Sequence, residues 1–426
     1  MKNYLRPPLA LLLSLCLLLA AACAPPPAVA PAPEETPAAE EVTVVEETVS
    51  AEETEPSPVP AATSTGEAAP IEEPSPVPAA EPSPVPAAEP SPVPAAEPSP
   101  VPEAEPSPAP AVGTDAEALT AALNQTAAYV YAAVPNPQVG SVGGEWAVIG
   151  LARAGWPVPE SYYETYYQTV AAYARERDGV LHSKKYTEYS RVVLALTAAG
   201  YDARDAGGYD LTLPLADFSQ TIWQGLNGPI WALIALDSAA YPLSAHPTAT
   251  VPASRDLYLA EILRRQLADG GFNLTAGAGG GAIAAEARAE VDITGMALQA
   301  LAPYRERPEV QAATDKALAC LSALQGEDGG FGYRGEGNLE SAAQVLTALT
   351  ALGLSLDDPR FVKNGRTILS NILSFSHGDG SFRHSASGGN SQMSTEQALY
   401  ALAAAQRSLR GQNSLYQMSD AARRGG

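Results

Sequence analysis

Hydrophobic and polar positions follow three regimes along this chain. Residues Leu9 to Leu19 form one short apolar run. Residues 24–113 carry no aromatic residue and no hydrophobic period. Beyond them, six segments look alike: 144–155, 187–200, 225–236, 292–301, 340–353 and 394–405. In each, a polar or acidic residue leads into Ala, Leu and Val on every side. A helix without a polar face is buried on most sides, so these six predict an inner set. Between them the spacing of apolar residues predicts amphipathic helices, most clearly over 160–177, 254–267, 309–324 and 359–375. In 309–324, Val310, Ala313, Ala317, Cys320, Leu321 and Leu324 mark one face, which reads Cys320 as a small core residue.

Several of these helices end in similar turns: Gln266 to Asp269-Gly270-Gly271-Phe272, Gln325 to Asp328-Gly329-Gly330-Phe331, and Asp379-Gly380-Ser381-Phe382. A weaker version is Asp178-Gly179-Val180-Leu181. Glycine supplies the left-handed residue that stops a helix, and the Phe can tuck beneath the helices. Six buried helices alternating with six half-exposed ones predict an all-α fold, an α6/α6 toroid over residues 114–426. The Asp-Gly-Gly-Phe turns and the start Asp292-Ile293-Thr294-Gly295-Met296 resemble the prenyltransferase and squalene-cyclase repeat superfamily. Within it, the domain is most similar to bacterial surface proteins of unassigned activity and to the α-domain of the cobalamin carriers intrinsic factor and transcobalamin. The resemblance implies that the inner helices begin around one mouth of a central cavity.

The apolar run is too short to span a bilayer stably and follows Lys2 and Arg6, which reads as a signal peptide over residues 1–22. Its end, Leu19-Ala20-Ala21-Ala22-Cys23, resembles the bacterial lipobox, with Ala20 where Leu is commoner. The resemblance implies lipidation of Cys23 and an extracytoplasmic, membrane-anchored protein; cleavage after Ala22 without a lipid is the plainer alternative. Residues 23–113 read as a disordered tether. The unit Glu-Pro-Ser-Pro-Val-Pro-Ala-Ala starts at Glu73, Glu81 and Glu89, and proline at every second position favours polyproline II. At ~3.1 Å per residue, such a tether reaches at most roughly 280 Å. It holds 17 Glu and no Lys or Arg, so most of the net charge of −23 belongs to it rather than to a binding face. Nothing in this balance suits nucleic acid. With Cys16 in the signal and Cys23 lipidated, Cys320 has no disulfide partner in the domain.

On the toroid, the helix starts place Glu145, Trp146, Glu188, Arg191, Trp223, Asn227, Asp292, Glu340, Gln344 and Glu396 near a common rim. Such a rim predicts an acidic, partly aromatic pocket suited to a polar ligand: a glycan, a cobalamin-like molecule or a surface protein. First-turn carboxylates also serve as helix caps, and Asn338 with Ser341, and Ser394 with Gln397, have cap spacing. The superfamily's Asp-x-Asp-Asp run, its zinc-binding Asp/Cys/His set and the Gly-Cys-Gly-Glu-Gln thioester are not found. No cofactor is expected. His377, Asp379 and His384 could meet on a loop, though that run reads as a helix-stop turn. The expectation is therefore a non-catalytic binding module, with an extracytoplasmic glycan hydrolase or lyase using paired inner-helix carboxylates as the alternative.

Overall fold

The computed structural model describes residues 112–333 and 336–424. The signal peptide, Cys23 and nearly all of the tether lie outside the described residues.

Six inner helices are present where the pattern places them: α2 (Trp146–Ala154), α4 (Thr187–Ala199), α6 (Asn227–Ser238), α8 (Val291–Leu301), α10 (Leu339–Ala351) and α12 (Gln392–Leu409). Each packs on the next, and α12 packs on α2, so the six close into a ring. Their composition explains the closeness. In α12, Ala398 and every residue from Ala401 to Ala405 except Leu402 is an alanine, all buried. Gly150 on α2 faces Leu399 on α12, and a Cβ there would lie 2.7 Å from the Leu399 Cδ2.

Outside the ring lie α1 (Val112–Ala133), α3 (Glu160–Glu176), α7 (Arg255–Arg264), α9 (Pro308–Leu324) and α11 (Ile368–Ser374). The helix α1 buries Leu119, Leu123, Ala127 and Val130 against α12 and α2, a stripe at helical spacing. Cys320 is buried on α9, as its position on the apolar stripe predicts. The fold is thus an all-α toroid, with one small addition: β1 (Gly332–Tyr333) pairs antiparallel with β2 (Glu336–Gly337). No helix among the described residues is long and apolar enough to cross a membrane.

Two outer elements differ from the pattern. The region 359–375 is not one helix. A 3-10 turn at Pro359–Phe361 is followed by Asn364 and Gly365, both left-handed, and only then by α11. Asn-Gly is a strong turn signal, and Thr367 with Ser370 forms a capping box that restarts the helix. Between α4 and α6 no sixth long outer helix forms. Residues 201–226 hold a 3-10 turn at Leu213–Ala216, the one-turn helix α5 (Phe218–Thr221) and a 3-10 turn at Ile222–Gln224. Gly207, Gly208 and Pro214 interrupt the run, while Leu211 and Leu215 supply the buried contacts a helix face would have made.

The repeated turns staple neighbouring repeats. Gln266 Nε2 donates to Gly270 O at 2.8 Å within its own turn and to Ala313 O of α9 at 2.7 Å. Gln325 repeats this with Gly329 O and Phe361 O at 2.8 and 2.9 Å. The turn Asp accepts from the backbone two residues on, from Gly271 N, Gly330 N and Ser381 N. Gly270, Gly329 and Gly380 are left-handed, and Phe272, Phe331 and Phe382 are buried. The second glycine is needed for space: a methyl on Gly271 would collide with Ala289 and come within 3.0 Å of Cys320 Sγ and Thr294 Oγ1. Gly271→Ala is therefore expected to destabilise the domain by about 1–3 kcal/mol. Chemical denaturation measures it, and an unchanged midpoint would mean that the turn yields.

Candidate functional site

The N-terminal ends of the inner helices surround an axial cavity of about 230 Å³. Its wall is made by Trp146 of α2, Thr187 and Arg191 of α4, Asn227 and Trp231 of α6, Met296 of α8, Gln344 of α10, and Gln397 and Tyr400 of α12. All six helices thus contribute a residue from their first two turns. Trp146, Thr187 and Asn227, at the helix starts, are partly exposed. Deeper residues are covered: Trp231 is 8% exposed, Gln344 7% and Tyr400 1%. The cavity therefore opens at the helix starts and deepens along the ring axis.

Three rings shape the wall. Trp146 lies 5.5 Å from Trp231 and 5.5 Å from Tyr400, centroid to centroid, tilted in both pairs. The amides are partly engaged. Gln344 Nε2 donates to the Tyr400 hydroxyl at 2.8 Å, and that hydroxyl donates to Gln397 Oε1 at 2.6 Å. Asn227 Oδ1 is buried and has no hydrogen-bond partner. Leaving such an acceptor unpaired costs roughly 1–3 kcal/mol.

Of the ten rim candidates, Trp146, Arg191, Asn227 and Gln344 line the cavity, and the carboxylates do not. Arg191 turns two of them away. Its Nε donates to Glu145 Oε2 at 3.0 Å, and its Nη2 to Glu188. Glu145 is fully buried, with the Tyr166 hydroxyl also donating to it at 3.3 Å. Glu340 accepts from the Ser394 hydroxyl and sits 2.7 Å from His384 Nδ1. Asp292 is enclosed beside Ser341 and Glu340, with Oδ1 unpaired. Trp223 is 57% exposed on its 3-10 turn, with the Lys184 ammonium 5.4 Å from its ring. The cavity is consequently aromatic, rich in amides and bordered by one guanidinium, rather than acidic.

The cap reading divides as well. Asn338 caps α10, accepting from Ser341 N at 2.8 Å. The cap of α12 is Ser391 rather than Ser394, because that helix begins a turn earlier than the apolar run. No side chain caps α2, α4, α6 or α8. Asp379 binds Ser381, and His384 binds Glu340, so the loop histidine and aspartate do not converge. Among the described residues no group of three or more His, Cys, Asp or Glu gathers to hold a metal. Thr187, Trp231, Met296, Gln397 and Tyr400 were not among the rim candidates. A signal for three of them exists. Trp231, Met296 and Tyr400 lie four residues beyond Asn227, Asp292 and Glu396, on the same helix face one turn deeper.

Glu145 and Glu396 instead belong to the seam where α2 meets α12. Residues 139–144 form a non-helical loop with Gly143 left-handed. Gly140 N donates to Glu145 Oε1 at 3.0 Å, and Gly143 N donates to Glu396 Oε1 at 2.9 Å. Both side chains are fully buried. Burial raises the Glu145 carboxyl, with Arg191 the strongest opposing influence. Burial likewise pushes Glu396 up to about 7, opposed by Gln392 and Gly143 N and reinforced by Glu145. Its Oε2 has no partner. Burial raises Asp292 too, with Ser341 opposing and Glu340 and Glu290 reinforcing.

No protein-family model matches the chain, and no curated protein matches it. Solved structures do. A type II terpene cyclase, MstE from Scytonema, with geranylgeranyl dihydroxybenzoate bound, aligns with TM-score 0.46 and 11% identity, over 70% of this chain and 100% of that one. A glycosidase in complex with glucose aligns with TM-score 0.43 and 13% identity, over 67% and 97%. Likenesses of this size bear on neither substrate nor reaction.

The seam makes a pH prediction. A carboxyl whose folded pKa is raised binds its proton more tightly in the folded state. The contribution of Glu396 to stability is then fully present below the unfolded value of 4.5 and is lost as pH rises through about 7. Glu396→Gln keeps Oε1 for Gly143 N and removes the charge. It is expected to flatten this fall and to stabilise the protein at pH 8 by up to about 3 kcal/mol, with little effect at pH 4. Denaturation curves at the two pH values check this. A variant that loses as much stability between pH 4 and pH 8 as the parent would show that Glu396 titrates normally.

Proposed function

We propose that this chain presents a non-catalytic toroid domain at the outer face of a bacterial membrane, and that its axial cavity binds a polar ligand of the sugar class. The observation that carries the reading is the unpaired Asn227 Oδ1 in a wall that joins three aromatic rings to amide and guanidinium groups. A sugar presents apolar C–H faces to aromatic rings and hydroxyls to amides. One ligand hydroxyl donating to Asn227 Oδ1 would relieve its unmet hydrogen bond. The Arg191 Nε and Nη2 are held by Glu145 and Glu188, which fixes the guanidinium plane while its Nη1 edge is left for a ligand. The volume lies below the roughly 300–1,000 Å³ of drug-sized sites, which suits one small ring better than a corrin. None of the residues lining the cavity is Asp or Glu, which favours binding over hydrolysis.

The hydrolase alternative keeps one observation in its favour. Asp292 is a buried carboxyl with a raised pKa and an unpaired oxygen beside Glu340, and an acid and a base in one site need such unlike environments.

A thermal-shift screen of the protein against monosaccharides, oligosaccharides, peptidoglycan fragments and cobalamins tests the proposal. Binding is expected to weaken about tenfold or more in Trp146→Ala and Asn227→Ala. A ligand whose affinity ignores both changes would move the site elsewhere. Turnover of any glycan that is lost in Asp292→Asn would establish the hydrolase reading instead. For the anchor, Cys23→Ala is expected to abolish labelling by a palmitate analogue and to release the protein from membranes; retained labelling would refute the lipid.

A further inference from the structure

The end of the ring opposite the cavity mouth is closed by the chain itself. After α12, residues 411–424 cross the C-terminal ends of the inner helices, bonding to those of α2, α4, α6 and α12 and facing α8 and α10. On α2, Arg153 is buried and donates to Leu415 O, Ser414 O and Gln417 O at 2.8, 3.0 and 3.1 Å, and its Nη1 lies 2.8 Å from Asp420. On α12, Arg407 holds Asn413 O at 2.8 Å and pairs with the same Asp420. Met418 N donates to Ser238 O at the end of α6, at 2.7 Å, and Arg424 N to Gly200 O at the end of α4, at 2.8 Å. Ser414 to Gln417 face Gln299 of α8 and Thr347 of α10 across a second cavity of about 70 Å³. Leu415, Tyr416 and Met418 are buried in this position.

A floor separates this lower chamber from the axial cavity. Gln299 lines the lower chamber and Gln344 the upper one. Gln299 Nε2 donates to Gln344 O and Gln344 Oε1, each at 3.0 Å. Trp231, in the wall of the upper cavity, packs edge-on against Tyr416 of the crossing segment, with ring centroids 5.8 Å apart. The two cavities share no lining residue, and the Gln299–Gln344 amide pair and the Trp231–Tyr416 ring pair lie between them.

We infer that the binding cavity is blind, and that a saccharide enters it by a chain end, burying its terminal unit against Trp231 and Gln344. A chain cannot thread the ring, and an internal unit cannot reach the floor without its neighbours meeting the wall. This inference rests on the sugar reading above, and the two can fail separately.

The test is calorimetric titration of the unaltered full chain with ladders of cello-, xylo-, malto- and chito-oligosaccharides from the monosaccharide upward, and with the parent polysaccharides before and after shearing. For a ladder that binds, affinity is expected to level off after the first units, each later unit changing Kd by less than about twofold. Binding to the polymer is expected to follow the concentration of chain ends and so to rise on shearing. Affinity that keeps growing with length, or polymer binding that follows mass and ignores shearing, would overturn the blind cavity while leaving the sugar reading intact. Failure of every saccharide to bind would remove the sugar reading, and this inference with it.

Discussion

Ring closure is the constraint on which the rest of the structure depends. Six helices that are apolar on every side have no exposed face to offer, so the last must find the first. At that seam, α12 approaches α2 closely enough to need Gly150 against Leu399. The same seam buries two carboxylates, Glu145 and Glu396, and wraps them with the backbone amides of the 139–144 loop. Burying charge is costly unless it is paired. Glu145 has Arg191; Glu396 has only amide donors, and its raised pKa expresses the difference. A buried carboxylate without a counter-ion is a stability cost that the apolar contacts of the closed ring offset.

Once shut, the ring is held in register by polar staples rather than by further apolar surface. Gln266 and Gln325 each bind their own turn and the next repeat's outer segment. Thr294 and Thr395 do comparable work from the inner side, accepting from Phe272 N and Phe382 N while donating back to their own helices. These bonds satisfy buried backbone groups that the Phe residues, in packing inward, remove from water. The turn motif therefore speaks about fold. It positions helix starts, and it contributes no group to the cavity wall.

The cavity inherits its chemistry from where the staples put the helix starts. First-turn residues reach the mouth, and second-turn residues reach the depth. The carboxylates of the rim are consumed by neighbours: Glu145 and Glu188 by Arg191, and Glu340 by Ser394 and His384. What remains facing the axis is aromatic and amide-bearing. Arg191 is the residue that makes this division, since one guanidinium withdraws two acids and keeps an edge beside the cavity. At the other end, two arginines, Arg153 and Arg407, share Asp420 and pin the segment that closes the base.

The amino-acid sequence alone determined the all-α class, the six inner helices and the turns that end their outer partners. It could do so because all-round hydrophobicity and the Asp-Gly-Gly-Phe pattern are local signals. The cavity at the helix starts was implied by the family resemblance, and four of the ten rim candidates line the cavity found there. The hydrophobic pattern misjudged the 359–375 region, where the Asn364-Gly365 turn outweighed an apolar period, and the 201–226 segment, where burial came without a helix. Only the tertiary structure decided which side of each helix start faces the axis. A carboxylate in a first turn looks the same in sequence whether it caps, pairs or lines a wall. The choice is made by partners 46 or 44 residues away, as Arg191 makes it for Glu145 and His384 for Glu340. The closing segment was equally out of reach. Its residues carry no period, and their role comes from spanning six helix ends that only the closed ring brings together.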